Sequence, residues 1–343
     1  MIFFEKIKAH WVFFILASFF LLEFNQSSPP LQVPDEINHY YRVFQVSEGQ
    51  LMPYNENNRL GGNIPESVRR FVHAYNKMAT NVKYVLSDSV TEQTNNIVYS
   101  DERRQFVDFP NTALYSFISY APQAFGLYMA RQMNFKLGEQ YYFSRLFICL
   151  FWLIAITISI KIIPFGKWIL TFVGLLPMHL YITCSMSADT VTNAVSILFI
   201  SYTLFLVYSK NSIGKKEIAL LALLIFLLSQ AKLVYIGLSL LLLLLPKQKF
   251  ASTRKSVFVK GSLLLIAGLF GLIWSEIIMS YYTPYLMYNP EYRDYICLSS
   301  CVNYYLQKDI VFGSSTYFFN LIYRSIFEHP TTYLQGIIAL FGN

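Results

Sequence analysis

The sequence predicts an all-α membrane protein, a polytopic helical bundle, and three observations carry that prediction. Hydrophobic residues make up 55% of the 343 and charged residues only 14%, against about a quarter charged in a soluble chain, and mean hydropathy is +0.40. Thirty Phe and twenty-six Tyr supply the aromatic load of chains that sit at membrane interfaces. The basic residues stand in short clusters between apolar runs, which is how membrane topology is encoded. The net charge of +7 therefore speaks for membrane orientation. It does not speak for nucleic acid, because no basic stripe interleaved with aromatics occurs.

Residues 11–22 form the first span, preceded by Lys6 and Lys8 and followed by no small-x-small cleavage site. The basic flank places the N-terminus in the cytoplasm and residues 23–142 outside, as one long loop. Pro29, Pro30 and Pro34 end the span, and residues 33–48 then read as an amphipathic helix. At about 100° per residue, Asp35, Asn38, His39 and Arg42 share one arc of it. Ile37, Tyr40, Tyr41 and Phe44 fall opposite, against lipid or protein. Residues 55–62 and 87–96, rich in Asn, Gly, Ser and Thr, read as loops.

Residues 111–133 are apolar but interrupted by Pro122 and Gln123. Taken as an interfacial helix and not a span, they leave the basic loops 161–167, 210–216 and 247–260 all cytoplasmic. Spans follow at 143–163, 168–186, 190–208, 217–230, 233–245 and 257–280, several of them shorter than the ~20 residues a hydrocarbon core needs. The domain plan is thus residues 1–22, 23–142, 143–280 and a Tyr-rich outside segment with membrane-associated helices at 281–343. Cys149 and Cys184 sit in apolar runs as buried thiols. Cys297 and Cys301 form either a small-loop disulfide or two free thiols.

Four features share the outer face under this topology: the Asp35-Glu36 helix start, the loop ending at Asp189, Lys232 between two spans, and the segment around residues 115–128. Asp35 and Glu36 either stabilise a helix N-terminus, worth about 0.3–1 kcal/mol each, or act as a general base and its partner within reach of an acceptor hydroxyl. Paired carboxylates also admit a divalent cation, Mg²⁺ or Mn²⁺. His39 and Arg42 form a local ion-pair face or bind phosphate and sugar hydroxyls. Asp189 caps the next span or faces the same cavity. Lys232, the one basic residue between Lys216 and Lys247, either snorkels to headgroups or binds the phosphate of a lipid carrier.

Three stretches, in this order, carry a resemblance that covers the chain. They are Val33-Pro34-Asp35-Glu36-Ile37-Asn38-His39-Tyr40, then Phe109-Pro110-Asn111 through Pro122-Gln123 to Ser144-Arg145-Leu146, then Leu176-Pro177-Met178 through Ser187-Ala188-Asp189 with Ala231-Lys232-Leu233 beyond. The chain resembles a family of predicted bacterial membrane proteins of unknown function that is grouped with the GT-C glycosyltransferases. It is similar in plan to lipid A aminoarabinose transferases and protein mannosyltransferases. The resemblance implies a GT-C-like bundle with amphipathic helices in its first outside loop. It implies a polyprenyl-phosphate sugar as donor and, as acceptor, a hydroxyl of a surface glycan (O-antigen, teichoic acid) or of a lipid-linked chain. Asp35, with Glu36, would be the base, and Asp189 the acid of the second outside loop. Arg42 and Lys232 would neutralise the leaving phosphate. The setting would be the bacterial cytoplasmic membrane, with an extracytoplasmic site. A flippase of lipid-linked sugars, which calls for broken helices and inverted repeats, and a non-catalytic assembly subunit are the competing expectations.

Overall fold

A computed structural model describes residues 8–57, 59–80, 85–281, 304–328 and 330–331. Cys297, Cys301 and most of the Tyr-rich segment lie outside the described residues. The helices that form the membrane layer are α1 (Ala9–Ser27), α7 (Leu137–Ile162), α8 (Lys167–Gly174), α9 (Pro177–Thr183), α10 (Asp189–Tyr208), α11 (Lys215–Ala231) and α12 (Thr253–Met279). Between α1 and α7 the chain builds a separate cap layer. Its helices are α2 (Glu36–Ser47), α3 (Glu66–Thr80), α4 (Asp88–Asn95), α5 (Pro110–Ala113) and α6 (Ala121–Gln132), with a three-stranded sheet. Two further helices, α13 (Tyr304–Gly313) and α14 (Ser315–Phe327), follow the bundle.

Among the described residues four helices, α1, α7, α10 and α12, are long and apolar enough to cross a bilayer. They leave large apolar side chains such as Ile15, Phe19, Leu150 and Leu265 exposed around the bundle, as a lipid-facing belt requires. The span expected at 168–186 is instead two half-helices of eight and seven residues, about 12 and 10 Å long. Pro177 causes the break: it has no N–H to donate and holds Leu176 in an extended conformation (ψ 132°). The broken helix that could not be read from the sequence is therefore present. The leucine run is also not α-helical. Leu233–Leu244 forms a 3₁₀ helix of 12 residues, which at about 2.0 Å per residue covers about 24 Å where an α-helix would cover about 18 Å.

Lys8, Lys161, Lys167, Lys249 and Lys260 lie at one end of this bundle. Lys8, Lys161 and Lys167 all lie near enough to His10 to act on it electrostatically. Lys249 donates to the Leu206 and Ser209 carbonyls, and Lys260 donates to the Leu245 carbonyl at 2.6 Å. The cap layer covers the opposite end. Among the cap elements, α6 has twelve residues, about 18 Å, too short to span. The stretch expected as one interfacial helix at 111–133 is divided into α5, a 3₁₀ turn (Phe117–Tyr120) and α6.

The sheet corrects the all-α expectation for the cap. β1 (Tyr54–Glu56), β2 (Arg59–Pro65) and β3 (Arg104–Asp108) pair antiparallel in that order, where a loop was expected at 55–62. Gly61 sets the approach of β2 to β3, because a Cβ there would lie 1.9 Å from the Val107 carbonyl oxygen. The face of α2 expected to meet lipid or protein meets protein. Tyr40, Tyr41 and Phe44 are buried with Phe71, Tyr75 and Phe109 in the core of the cap.

Glu36 and Arg145 join the two layers. Glu36 is 1% exposed. Its Oε1 accepts from the Tyr141 hydroxyl (2.5 Å), the Met186 amide (3.0 Å) and Arg145 (3.3 Å), and its Oε2 accepts from the Val33 amide (3.1 Å). Arg145, also fully buried, donates to the carbonyls of Ser28 (2.8 Å) and Pro29 (3.2 Å). One pair thus ties the end of α1, the start of α2, α7 and the α9–α10 loop. Removing either partner strands a buried charge, which typically costs about 3–5 kcal/mol. Glu36→Ala and Arg145→Leu should each lower the unfolding free energy in detergent by about that much, measured by chemical denaturation. A loss under about 1 kcal/mol for both would show the joint to be unimportant.

Candidate functional site

A strap of the cap, residues 114–120, lies across the end of α11 and sets the geometry of the site. Ser116 Oγ donates to Gln230 Oε1 (3.1 Å), Ser119 Oγ donates to the Gln230 carbonyl (3.3 Å), and Trp274 Nε1 donates to the Leu114 carbonyl (3.3 Å). These bonds hold Tyr115 above the last residues of α11. Lys232, just past the helix end in an extended conformation, places its Nζ 5.6 Å from the Tyr115 ring centroid, a cation–π distance. The same ammonium pairs with Asp189 Oδ1 at 2.6 Å. The Ser187 hydroxyl accepts the Asp189 amide (3.1 Å), and Asp189 is the first residue of α10 and not its cap. A cavity of about 290 Å³ opens beside this pair, walled by Leu114, Tyr115, Lys232, Trp274 and Ile278.

His39 completes the cluster from α2. Its ring stacks on Tyr115 (centroids 6.2 Å, 22°), and its Nδ1 shares a hydrogen bond with the Tyr120 hydroxyl at 2.8 Å. Burial pushes His39 down to about 4, with Lys232 adding to the effect and Asp189 opposing it. Burial also holds the Tyr120 phenol well above its ordinary value. At neutral pH both are uncharged, and the local charges are those of Asp189 and Lys232.

Asp35 stands at the edge of this group. It is exposed, its backbone is left-handed (φ +60°), and its carbonyl accepts the His39 amide (3.1 Å). The carboxylate makes no hydrogen bond or ion pair with the described residues. Asp is among the residue types that adopt positive φ most readily.

The predicted site residues therefore separate into two groups. His39, Asp189 and Lys232 meet around Tyr115, with Asp35 one helical turn from His39. Glu36 and Arg42 do not join them. Glu36, expected to be catalytic, has its oxygens engaged by four donors and is shut away from solvent, where a substrate hydroxyl does not reach it. Arg42, expected to bind phosphate, is fully buried. Its guanidinium donates to Gln45 Oε1 (2.5 Å) and to the carbonyls of Leu51 (2.7 Å) and Tyr115 (3.3 Å), and burial lowers it to about 10. The helical arc was right for α2 in isolation, but the strap packs over it and takes Arg42 as a brace. Tyr115, Tyr120, Gln230 and Trp274 were not singled out from the sequence. An aromatic residue in an interfacial stretch carries no signal that distinguishes a site wall from a lipid anchor. Among the described residues no group of three or more His, Cys, Asp or Glu converges. No step below passes through a metal.

The depressed His39 makes the site acid-sensitive, with Tyr115, Tyr120, Asp189 and Lys232 the groups that face it. Between the ordinary value of 6.5 and about 4, the unfolded chain binds a proton that the folded chain refuses. Stability is therefore complete above about pH 6.5 and falls by up to about 3 kcal/mol as pH drops towards 4. Unfolding free energies across that range should show the slope in the wild type and lose it in His39→Asn. Equal slopes in the two proteins would remove His39 as the cause.

No curated protein and no solved structure matches the chain. A family model does, over residues 16–322, and its description is "Predicted membrane protein (DUF2142)". By that match across nearly its whole length, the chain belongs to the DUF2142 family of predicted membrane proteins.

Proposed function

We propose that this protein is a membrane glycosyltransferase of GT-C type, which moves a sugar from a polyprenyl-phosphate donor to a hydroxyl of a cell-envelope glycan. The basic end of the bundle lies in the cytoplasm of a bacterial cell, by the bias of lysine and arginine towards that side. The site then opens at the outer face of the cytoplasmic membrane. The observation that carries the reading is an exposed carboxylate, Asp35, which the described residues leave unengaged, one turn from His39 in the cluster that holds the cation of Lys232. That cation lies beside a cavity framed by α11, α12 and the strap.

The chemistry follows from those positions. The acceptor oxygen attacks the anomeric carbon while Asp35 takes the hydroxyl proton. The bond from that carbon to the phosphate oxygen breaks, and the electron pair leaves with the phosphate. Charge therefore grows on the phosphate, where Lys232 neutralises it. Cations placed where charge develops are usually the largest catalytic term. Displacement from the face opposite the phosphate inverts the anomeric centre. Asp189 holds Lys232 over Tyr115 until a phosphate competes for it. Neutral His39 fixes Tyr115 from the other side.

A second reading, translocation of a lipid-linked sugar, draws on the broken helix α8–α9, since discontinuous helices are a common transporter device. One pair of variants separates the two. In membranes supplied with lipid-linked sugar, Asp35→Asn should lower transfer by about 10²–10⁴, the usual worth of a general base, with insertion and melting unchanged. Lys232→Ala should cost about 10²–10³, with donor accumulating on the outer side. Transfer at the wild-type rate in Asp35→Asn would remove the base assignment. Donor retained on the cytoplasmic side would favour translocation.

A further inference from the structure

At the end of the bundle away from the site, a cavity of about 470 Å³ lies between the α7–α8 turn and the end of α10. Lys161, Lys167, Phe205, Tyr208 and Ser209 are among its walls. Its charge is one-sided. The Lys167 ammonium donates to the Lys161 carbonyl at 2.9 Å, which keeps the two cations together. Lys8 acts with them on His10 of α1. Among the described residues no carboxylate forms an ion pair with any of these three lysines.

The backbone adds to this field. Helix α8 starts at Lys167 behind left-handed Gly166 (φ +70°), and no side chain caps it, so its first amides contribute partial positive charge at the same place. Beside this charge the surface is apolar. Phe165 and Tyr208 pack edge to face (5.5 Å), and both are exposed together with Ile169. Uncompensated cations next to a lipid-facing wall need an anion that comes with acyl chains. The volume falls in the range of small-molecule sites, about 300–1,000 Å³.

We infer that this cavity binds the headgroup of an anionic phospholipid from the leaflet at the basic end. The phosphodiester sits between Lys161 and Lys167, and the acyl chains run along Phe165 and Ile169. Each lysine near a bilayer surface contributes about fivefold to anionic-lipid affinity, so two contribute about thirty-fold. Occupancy would anchor α8, the first half of the broken helix. The inference is independent of the proposed transfer reaction, whose site lies at the other end of the molecule.

Native mass spectrometry of the full chain in neutral detergent tests it, with short-chain phosphatidylglycerol, phosphatidylcholine and inorganic phosphate as probes. Phosphatidylglycerol should bind at least tenfold more tightly than phosphatidylcholine and should resist displacement by millimolar phosphate. Lys161→Gln/Lys167→Gln should lose about thirty-fold of that affinity, and the single variant at exposed Lys161 should lose about fivefold if the double variant folds poorly. Lys210→Gln/Lys255→Gln, at the same end but not lining the cavity, should bind as wild type. Equal binding of the two lipids, an equal loss in the control pair, or full displacement by inorganic phosphate would each overturn the inference.

Discussion

The buried pair of Glu36 and Arg145 is the constraint on which the rest of the arrangement depends. A carboxylate and a guanidinium taken out of water cost several kcal/mol each, and their attraction offsets that cost only when the remaining donors and acceptors are also filled. Here most of them are: Tyr141, the amides of Val33 and Met186, and the carbonyls of Ser28 and Pro29 supply the shell. Those partners come from four stretches of chain: the end of α1, the approach to α2, α7 and the α9–α10 loop. The pair can therefore form only when the cap is seated on the bundle, and it fixes where the α9–α10 loop, and hence Asp189, must lie.

The same joint explains why two adjacent acids have different fates. Glu36 opens α2 facing inward, and the residue before it must leave the helix on the other side. Asp35 does so through a left-handed backbone and emerges in solvent, one turn from His39. A pair of neighbouring carboxylates in the sequence is thus one structural anchor and one unengaged acid. The anchor positions the acid, and substitution at Glu36 would disturb the candidate site indirectly, through the position of Asp35 and Asp189.

Much of this plan was legible in the sequence, and the parts that were not share a cause. Apolar runs marked α1, α7, α10 and α12, and the basic loops sorted to one end because charge between apolar segments has few places to go. His39, Asp189 and Lys232 stood out as polar residues where polarity is rare, and they do meet. Arg42 and Glu36 stood out by the same rule, yet apart from Gln45 their partners, the side chains of Tyr141 and Arg145 and several backbone groups, belong to segments beyond α2, which no pattern within α2 can announce. The small sheet escaped because Gly61 and Gly62 read as loop, whereas Gly61 serves a close strand approach. Pro177 was visible, but whether a proline kinks a span or divides it depends on the neighbours that pack on the two halves.

The distribution of lysines sharpens the distinction between the two ends. At the basic end, Lys8, Lys161 and Lys167 share one neighbourhood with no ion-pair partner among the described residues, as befits groups that meet headgroups. Lys232 is different: it lies at the end that the cap covers, where an acid and an aromatic face hold it. A lysine that only snorkelled would reach for water and headgroups and would not need Asp189 at 2.6 Å or the Tyr115 ring beneath it. Holding a lone cation in a partly exposed ion pair keeps it oriented and leaves it exchangeable, because a pair near water has modest net strength. A ligand with two or more anionic oxygens can displace one carboxylate from such a pair without prising apart a buried bridge. The buried and the exposed ion pairs of this protein thus divide the labour: Glu36–Arg145 holds the layers together, and Asp189–Lys232 is weak enough to open.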